Sequence, residues 1–281
     1  MDVAKAKLDL DFLARAYFYL DEPVPYQLEN GIVYIKPISL KDSEMFLASC
    51  DILAFNKNEI PSVEIIQMSY LEFVCKCLIS QEIYCDKLIN ILKYCLGMNF
   101  PKLLLDNKGK PLIWDDEQEV TINSKDFENI RRIIMYQNIL HYDDSYVNPE
   151  IRQMKAEYDE LKNKDIVTPT LERKIAIITA HSGVTKEEQK KMTYRSHCLL
   201  FEEVCGETEF TAVRPTALIG KMLGGKGEIP DHWIYKKRKG KLDGYIVDVD
   251  KYSKNIGGSM QKAGSTDVGD KFKQAFENFA K

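Results

Sequence analysis

Hydrophobic positions along this chain recur mostly at helical spacing and tighten into strand-like runs at a few places. In residues 31–38 the run Ile32-Val33-Tyr34-Ile35 is dense in β-branched and aromatic side chains and predicts a strand. Ser39 then stands three residues before Asp42, a capping hydroxyl ahead of a carboxylate, with Phe46 and Leu47 as the first apolar face of a helix. Residues 65–78 and 85–96, rich in Leu, Ile, Tyr and Cys, continue as helices that require burial. Leu103-Leu104-Leu105, the turn residues Asp106-Asn107-Lys108-Gly109 and then Pro111-Leu112-Ile113-Trp114 predict a hairpin, followed by a third short strand over 119–122.

Asn123 or Ser124 caps the next helix, in which Phe127, Ile130, Ile134 and Asn138 fall three and four residues apart. From Pro149 a charged helix carries only the thin apolar stripe Ile151, Met154, Tyr158 and Leu161, enough to dock on one neighbour. Thr168-Pro169 opens a helix with Leu171, Ile175 and Ile178 inward, and Gly183 sits where a C-terminal cap belongs. Thr185 and Glu188 form a capping box. After Met192 a further helix carries Leu199, Leu200, Phe201 and Val204 and is expected to end at Gly206. The fold class that follows is α+β, predominantly helical with short β-hairpins. Four regions are expected: a mixed, mainly helical domain over 1–100; a hairpin plus helices over 101–165; a helical body with a C-terminal hairpin over 166–252; and a flexible tail with a short amphipathic helix over 253–281.

Composition fits that picture and narrows the function classes. With 281 residues, 44% hydrophobic and 29% charged, the chain can build a core without disulfides or structural metal. A net charge of -4, from 39 basic and 43 acidic side chains, argues against a protein that coats nucleic acid along its whole surface. Charges within residues 1–14 and within 70–100 predict neither a secretory leader nor a membrane span. The seven cysteines are odd in number, and five of them (50, 75, 77, 85 and 95) sit among apolar residues, so reduced, buried thiols are expected. Cys75 and Cys77 are two residues apart on a helix, which turns them about 200° from one another and prevents joint chelation.

No catalytic constellation emerges. The cluster Gly220-Lys221-Met222-Leu223-Gly224-Gly225-Lys226-Gly227 lacks the Gly-Lys-Ser/Thr ending of a phosphate loop and reads as a hinge. His141, His181, His197 and His232 are scattered, and the pairs Asp115-Asp116 and Asp143-Asp144 fall in loops as solvated turns. The basic run Lys236-Lys237-Arg238-Lys239-Gly240-Lys241, with Trp233, Tyr235 and Tyr245 nearby, is diluted by Glu228, Asp231, Asp243, Asp248 and Asp250 and reads as a turn between strands. Phe272, Phe276 and Phe279 share one face of a short C-terminal helix and are the candidate partner-binding residues. No catalytic, cofactor or metal residue is assigned.

The order of features is more informative than any one of them. Tyr17-Phe18-Tyr19-Leu20-Asp21-Glu22-Pro23-Val24-Pro25-Tyr26, then Val33-Tyr34-Ile35-Lys36-Pro37 and Ile66-Gln67-Met68-Ser69-Tyr70-Leu71, resemble the assembly and baseplate-type proteins of tailed phages. The likeness continues through Val120-Thr121-Ile122-Asn123, Phe127-Glu128-Asn129-Ile130-Arg131-Arg132-Ile133-Ile134 and Tyr136-Gln137-Asn138. His181-Ser182-Gly183-Val184-Thr185, Met192-Thr193 and His232-Trp233-Ile234 extend it over most of residues 10–235. The resemblance, to a baseplate component or to a baseplate-hub or tail assembly chaperone, implies a non-enzymatic protein in the host cytoplasm or the virion, with other tail or baseplate proteins as partners and no membrane. It assigns no individual residue. The alternative from another class is a nucleic-acid-binding accessory protein using residues 236–241, which strong salt dependence of binding would reveal.

Overall fold

The computed structural model describes residues 8–79, 81–144, 149–163 and 167–224, together with Ile229, His232 and Ile234. The chain divides into two compact units: one of residues 1–145 and 168–233, the other of 146–167 and 234–281. In the second, the described residues are Val167, Ile234 and helix α8 (Pro149–Asn163), a polar rod on which Ile151 and Met154 are exposed and Gln153 bonds Glu157 one turn on.

The larger unit opens with α1 (Leu10–Ala16), capped by the Asp9 carboxylate on Phe12 N–H. A two-stranded antiparallel ribbon follows, β1 (Val24–Gln27) against β2 (Ile32–Ile35), with Val24 opposite Ile35 and Tyr26 opposite Val33. All four of these side chains point into the core, because residues two apart share a sheet face. Ser39 caps a short 3₁₀ turn that leads into α2 (Ser43–Ser49), and α3 (Asp51–Ala54) adds one more turn. The helix expected over 65–78 is broken. α4 (Val63–Gln67) stops at Met68, and Ser69, which makes a capping box with Glu72, starts α5 (Tyr70–Phe73), which continues as a π-helical turn through Leu78.

Helix α6 (Glu82–Leu96) ends at Gly97, whose left-handed φ of 71° would strain a residue that carries a Cβ. The second sheet is the predicted hairpin plus one strand: β3 (Lys102–Leu105), β4 (Pro111–Asp115) and β5 (Val120–Ile122), antiparallel in that order. Helix α7 (Ser124–Asn138) is capped by Asn123, whose Oδ1 accepts from both Lys125 and Asp126 N–H. Its apolar face closes a single core containing Val33, Ile35, Phe73, Leu92, Ile113, Ile122, Phe127 and Ile134. Asn138, fully buried at its end, accepts Ile38 N–H at 2.6 Å and donates to the Ile134 carbonyl. The architecture is α+β and mostly helical, with two small antiparallel sheets.

Three further helices complete the unit: α9 (Leu171–Ser182), α10 (Lys186–Lys191) and α11 (Tyr194–Met222). Buried Gln189 ties α10 to α9 through the Ile175 carbonyl and the Thr179 hydroxyl. The start of α11 is laced to the N-terminal part of the chain: Leu40 N–H donates to the Met192 carbonyl and Tyr194 N–H to the Ile38 carbonyl, both at 2.8 Å. Asp21 reaches the same point, accepting from the Thr193 and Ser196 hydroxyls at 2.7 Å each.

Candidate functional site

Helix α11 differs most from expectation and presents the most unusual surface. It runs through Gly206, where a stop was expected, and also through Pro215 and Gly220. A single internal glycine costs about 1 kcal/mol, which flanking helix formers offset. Pro215 removes one backbone donor without ending the helix. The first half is docked: His197 and Val204 are buried, Lys174 of α9 lies over the Phe201 ring, and Thr208 bonds back to the Val204 carbonyl.

Beyond Glu207 the helix is bare except at Phe210 and Ala217, which are half-buried. Val213, Leu218, Ile219, Met222 and Leu223 are exposed, the last two by 86% and 83%. Fifteen residues of helix span about 22 Å. Helices owe most of their stability in water to packing, and contiguous exposed apolar side chains mark interaction surfaces. Apolar residues do continue past Gly206 in the sequence, but Pro215 and Gly220 among them mask the helix.

The candidate chemical groups occupy structural positions. His141, exposed at φ 60°, has Nε2 3.2 Å from both Glu202 carboxylate oxygens. His181 lies in the last turn of α9, and the His232 ring tilts on Phe210 with centroids 4.5 Å apart. The His197 ring is buried with neither nitrogen hydrogen-bonded, and burial, followed by the nearby Lys174 charge, pushes its pKa down. It is held as the neutral imidazole of a packed interior. Asp115 is buried and accepts Gln118 N–H, while Asp116 accepts from Trp114 Nε1 and pairs with Lys102.

Asp144 is held in a fork by Arg132, at 2.6 Å from Nε and 3.2 Å from Nη2, and accepts the Tyr136 hydroxyl. Burial works to raise its pKa, but the Arg132 and Tyr136 hydrogen bonds and the Arg132 charge prevail and hold it below the usual carboxylate range. A depressed carboxylate contributes stability that is fully present above the unfolded value of about 3.9 and is lost as pH falls through the folded value. Asp144→Asn is therefore expected to cost about 1–2 kcal/mol at neutral pH. The deficit relative to wild type should shrink in urea titrations run progressively below about pH 4.

All seven cysteines are free thiols, but only Cys95 is fully buried; five are half-buried and Cys205 is exposed. Burial was expected to be more complete, and the difference arises because Cys75, Cys77 and Cys85 lie at helix edges rather than on the core-facing stripe. Burial, reinforced by the Glu72 charge, pushes the Cys75 thiol up to about 11, which suppresses thiolate. A cleft of about 990 Å³ between the sheet and α5 sets Lys57, Lys108, Lys110 and Lys125 beside Glu29, Asp106 and Glu128. Its charges nearly balance, and Lys57 is committed to the Ile65 and Ile66 carbonyls.

Among the described residues no group of three or more His, Cys, Asp or Glu side chains is placed to hold a metal ion, and no helix is long and apolar enough to cross a membrane. Phe272, Phe276 and Phe279 lie outside the described residues, as do the basic run 236–241, Trp233 and Tyr235. No family model matches the chain, and neither does any curated protein or solved structure.

Proposed function

We propose that this protein is a non-enzymatic assembly or structural protein of a phage tail or baseplate that works through protein–protein contacts. The class rests on the pattern resemblance over residues 10–235, and the mode of action on one observation, the outer half of α11. There Ile219, Met222 and Leu223 expose 58%, 86% and 83% of their surfaces on a helix whose other half is anchored in the body. A helix of this kind engages a groove through residues spaced three and four apart. The protein acts in the host cytoplasm or in the particle, on other tail or baseplate proteins.

The test is affinity capture of the full chain from phage-infected cells, with identification of what is retained. Baseplate, hub or tail proteins in fixed ratio are expected. The double substitution Ile219→Asp with Leu223→Asp should reduce that recovery at least about tenfold, because burying an unpaired charge in an apolar contact costs more than 1.4 kcal/mol. Both side chains are exposed, so the thermal midpoint should stay within about 2 °C of wild type. Recovery of nucleic acid alone, or turnover of a metabolite by the purified protein, would end this reading.

A further inference from the structure

The three-stranded sheet has two edges, and they are treated differently. On the β5 side Asn30 closes the edge: its Oδ1 accepts Thr121 N–H at 3.0 Å and its Nδ2 donates to the Glu119 carbonyl at 2.9 Å. On the β3 side no described residue pairs with the strand. Leu103, Leu104 and Leu105 are 40%, 46% and 71% exposed, and Phe100 just before them 73%. An open apolar edge is a template for a further strand unless charge, proline or a cover guards it.

The register determines which backbone groups face outward. Asp106 N–H donates to the Lys110 carbonyl, so the alternation of an antiparallel ladder makes Leu104/Leu112 and Lys102/Trp114 the hydrogen-bonded pairs. Leu103 and Leu105, opposite Ile113 and Pro111, therefore direct N–H and C=O to the free side. Pro111, which has no N–H, suits the non-bonded position it occupies.

We propose that β3 docks antiparallel against β3 of a second copy of this chain, about a two-fold axis at Leu104, and so joins two three-stranded sheets into one of six. In that register Leu103 faces the partner's Leu105, Leu104 faces the partner's Leu104, and the outward groups of Leu103 and Leu105 exchange four hydrogen bonds. One position further out, Lys102, which pairs with Asp116 in its own chain, faces the partner's Asp106, and Asp106 faces the partner's Lys102, so in the dimer the ammonium is shared between Asp116 and the partner's Asp106. The edge is thus complementary to itself in backbone bonding and in charge. Asp106 uses only Oδ1 in its own turn, on Lys108 and Lys110 N–H, which leaves Oδ2 for the partner's Lys102.

Sliding the strands by two residues breaks the match. One shift sets Pro101, without an N–H, against the partner's Leu105, and the other sets Leu103 against the partner's Asn107 in the turn. Odd shifts place outward groups against inward ones. A four-residue strand contact falls below the roughly 1,200 Å² of stable complexes, so the dimer is reversible and concentration-dependent. It uses a different surface from α11 and stands or fails separately from the functional reading above.

Sedimentation equilibrium of the full chain under reducing conditions tests this. A monomer–dimer equilibrium is expected below about 200 µM, the range in which small interfaces associate. Leu104→Lys places two lysines face to face on the axis and should weaken the dimer about tenfold or more, with circular dichroism and thermal midpoint unchanged because the side chain is half exposed.

Leu104→Cys gives an independent readout should that variant misfold. Directly opposed residues of a non-bonded pair have Cα atoms about 4.5 Å apart, within disulfide range. Mild oxidation should then give a covalent dimer whose linked peptide joins position 104 to position 104, whereas Leu103→Cys, which faces a different residue, should give no 103–103 link. A chain monomeric at about 200 µM overturns the proposal, even if a strand of some other protein then occupies the edge. A dimer unmoved by Leu104→Lys overturns it too, as does a 103–103 link as strong as that at 104.

Discussion

Replacing Phe127 by alanine is expected to remove about 3–5 kcal/mol of folding stability, the largest effect of any single core truncation proposed for this chain. The side chain is 1% exposed and sits on the first inward turn of α7, in the core and against α5. Its ring stacks on that of Tyr70, with centroids 6.4 Å apart and planes 27° from parallel. Tyr70 is itself pinned by its hydroxyl on the Ile52 carbonyl and carries the Arg131 guanidinium 4.2 Å from its ring centre. Arg131 in turn donates to the Leu53 carbonyl and pairs with Glu128. The cavity would thus open under a buried aromatic and cation stack whose polar members cannot move to fill it without losing hydrogen bonds. Urea unfolding followed by both circular dichroism and tryptophan emission measures the loss. A change under about 1 kcal/mol would mean that the site collapses freely and that this core is not close-packed.

Much of this core was legible because several signals coincided at the same residues. In α7 the three-and-four spacing of Phe127, Ile130 and Ile134 begins directly after Asn123, a residue type favoured as a helix cap and disfavoured in strands. The β3–β4 hairpin was legible from the turn residues 106–109, where Gly109 adopts φ 74°. The first ribbon strand was not, because Pro25 lies in it; its place opposite Tyr34 becomes clear only once β2 is positioned. The break at Met68 and Ser69 was hidden by apolar residues on both sides that suit either one helix or two.

The interaction surfaces were the least legible part. Glycine and proline normally punctuate a helix, yet α11 passes Gly206, Pro215 and Gly220, since its stability is set by the docked first half rather than by local propensity. Likewise the run Leu103-Leu104-Leu105 predicts a hairpin strand but not its place in the sheet. Whether a hairpin strand is central or an edge depends on which side the third strand joins, and β5 joins β4.

Substituting Asp21 is expected to loosen the joint that carries α11, with a graded series of effects that separates strain from bonding. Asp21 closes the 3₁₀ turn of residues 18–20 at φ 58°, a left-handed conformation that Asn, Asp and Gly adopt with least penalty. From there its carboxylate accepts the hydroxyls of Thr193 and Ser196, 172 and 175 residues away, at the positive end of α11. Thr193 Oγ1 accepts Ser196 N–H at the same time, so the carboxylate orients the very hydroxyl that caps the helix.

Asp21→Asn keeps the left-handed turn and one acceptor oxygen and should cost about 1 kcal/mol. Asp21→Gly keeps the turn and loses both acceptors, about 2 kcal/mol. Asp21→Ala loses both and strains the backbone as well, about 3 kcal/mol. Thermal unfolding ranks the three, and hydrogen exchange at residues 194–200 locates the change. Equal losses for Gly and Ala would show that the turn stores no strain. A loss under about 0.5 kcal/mol for Ala would show that the backbone hydrogen bonds of Ile38 and Leu40 hold α11 without the carboxylate.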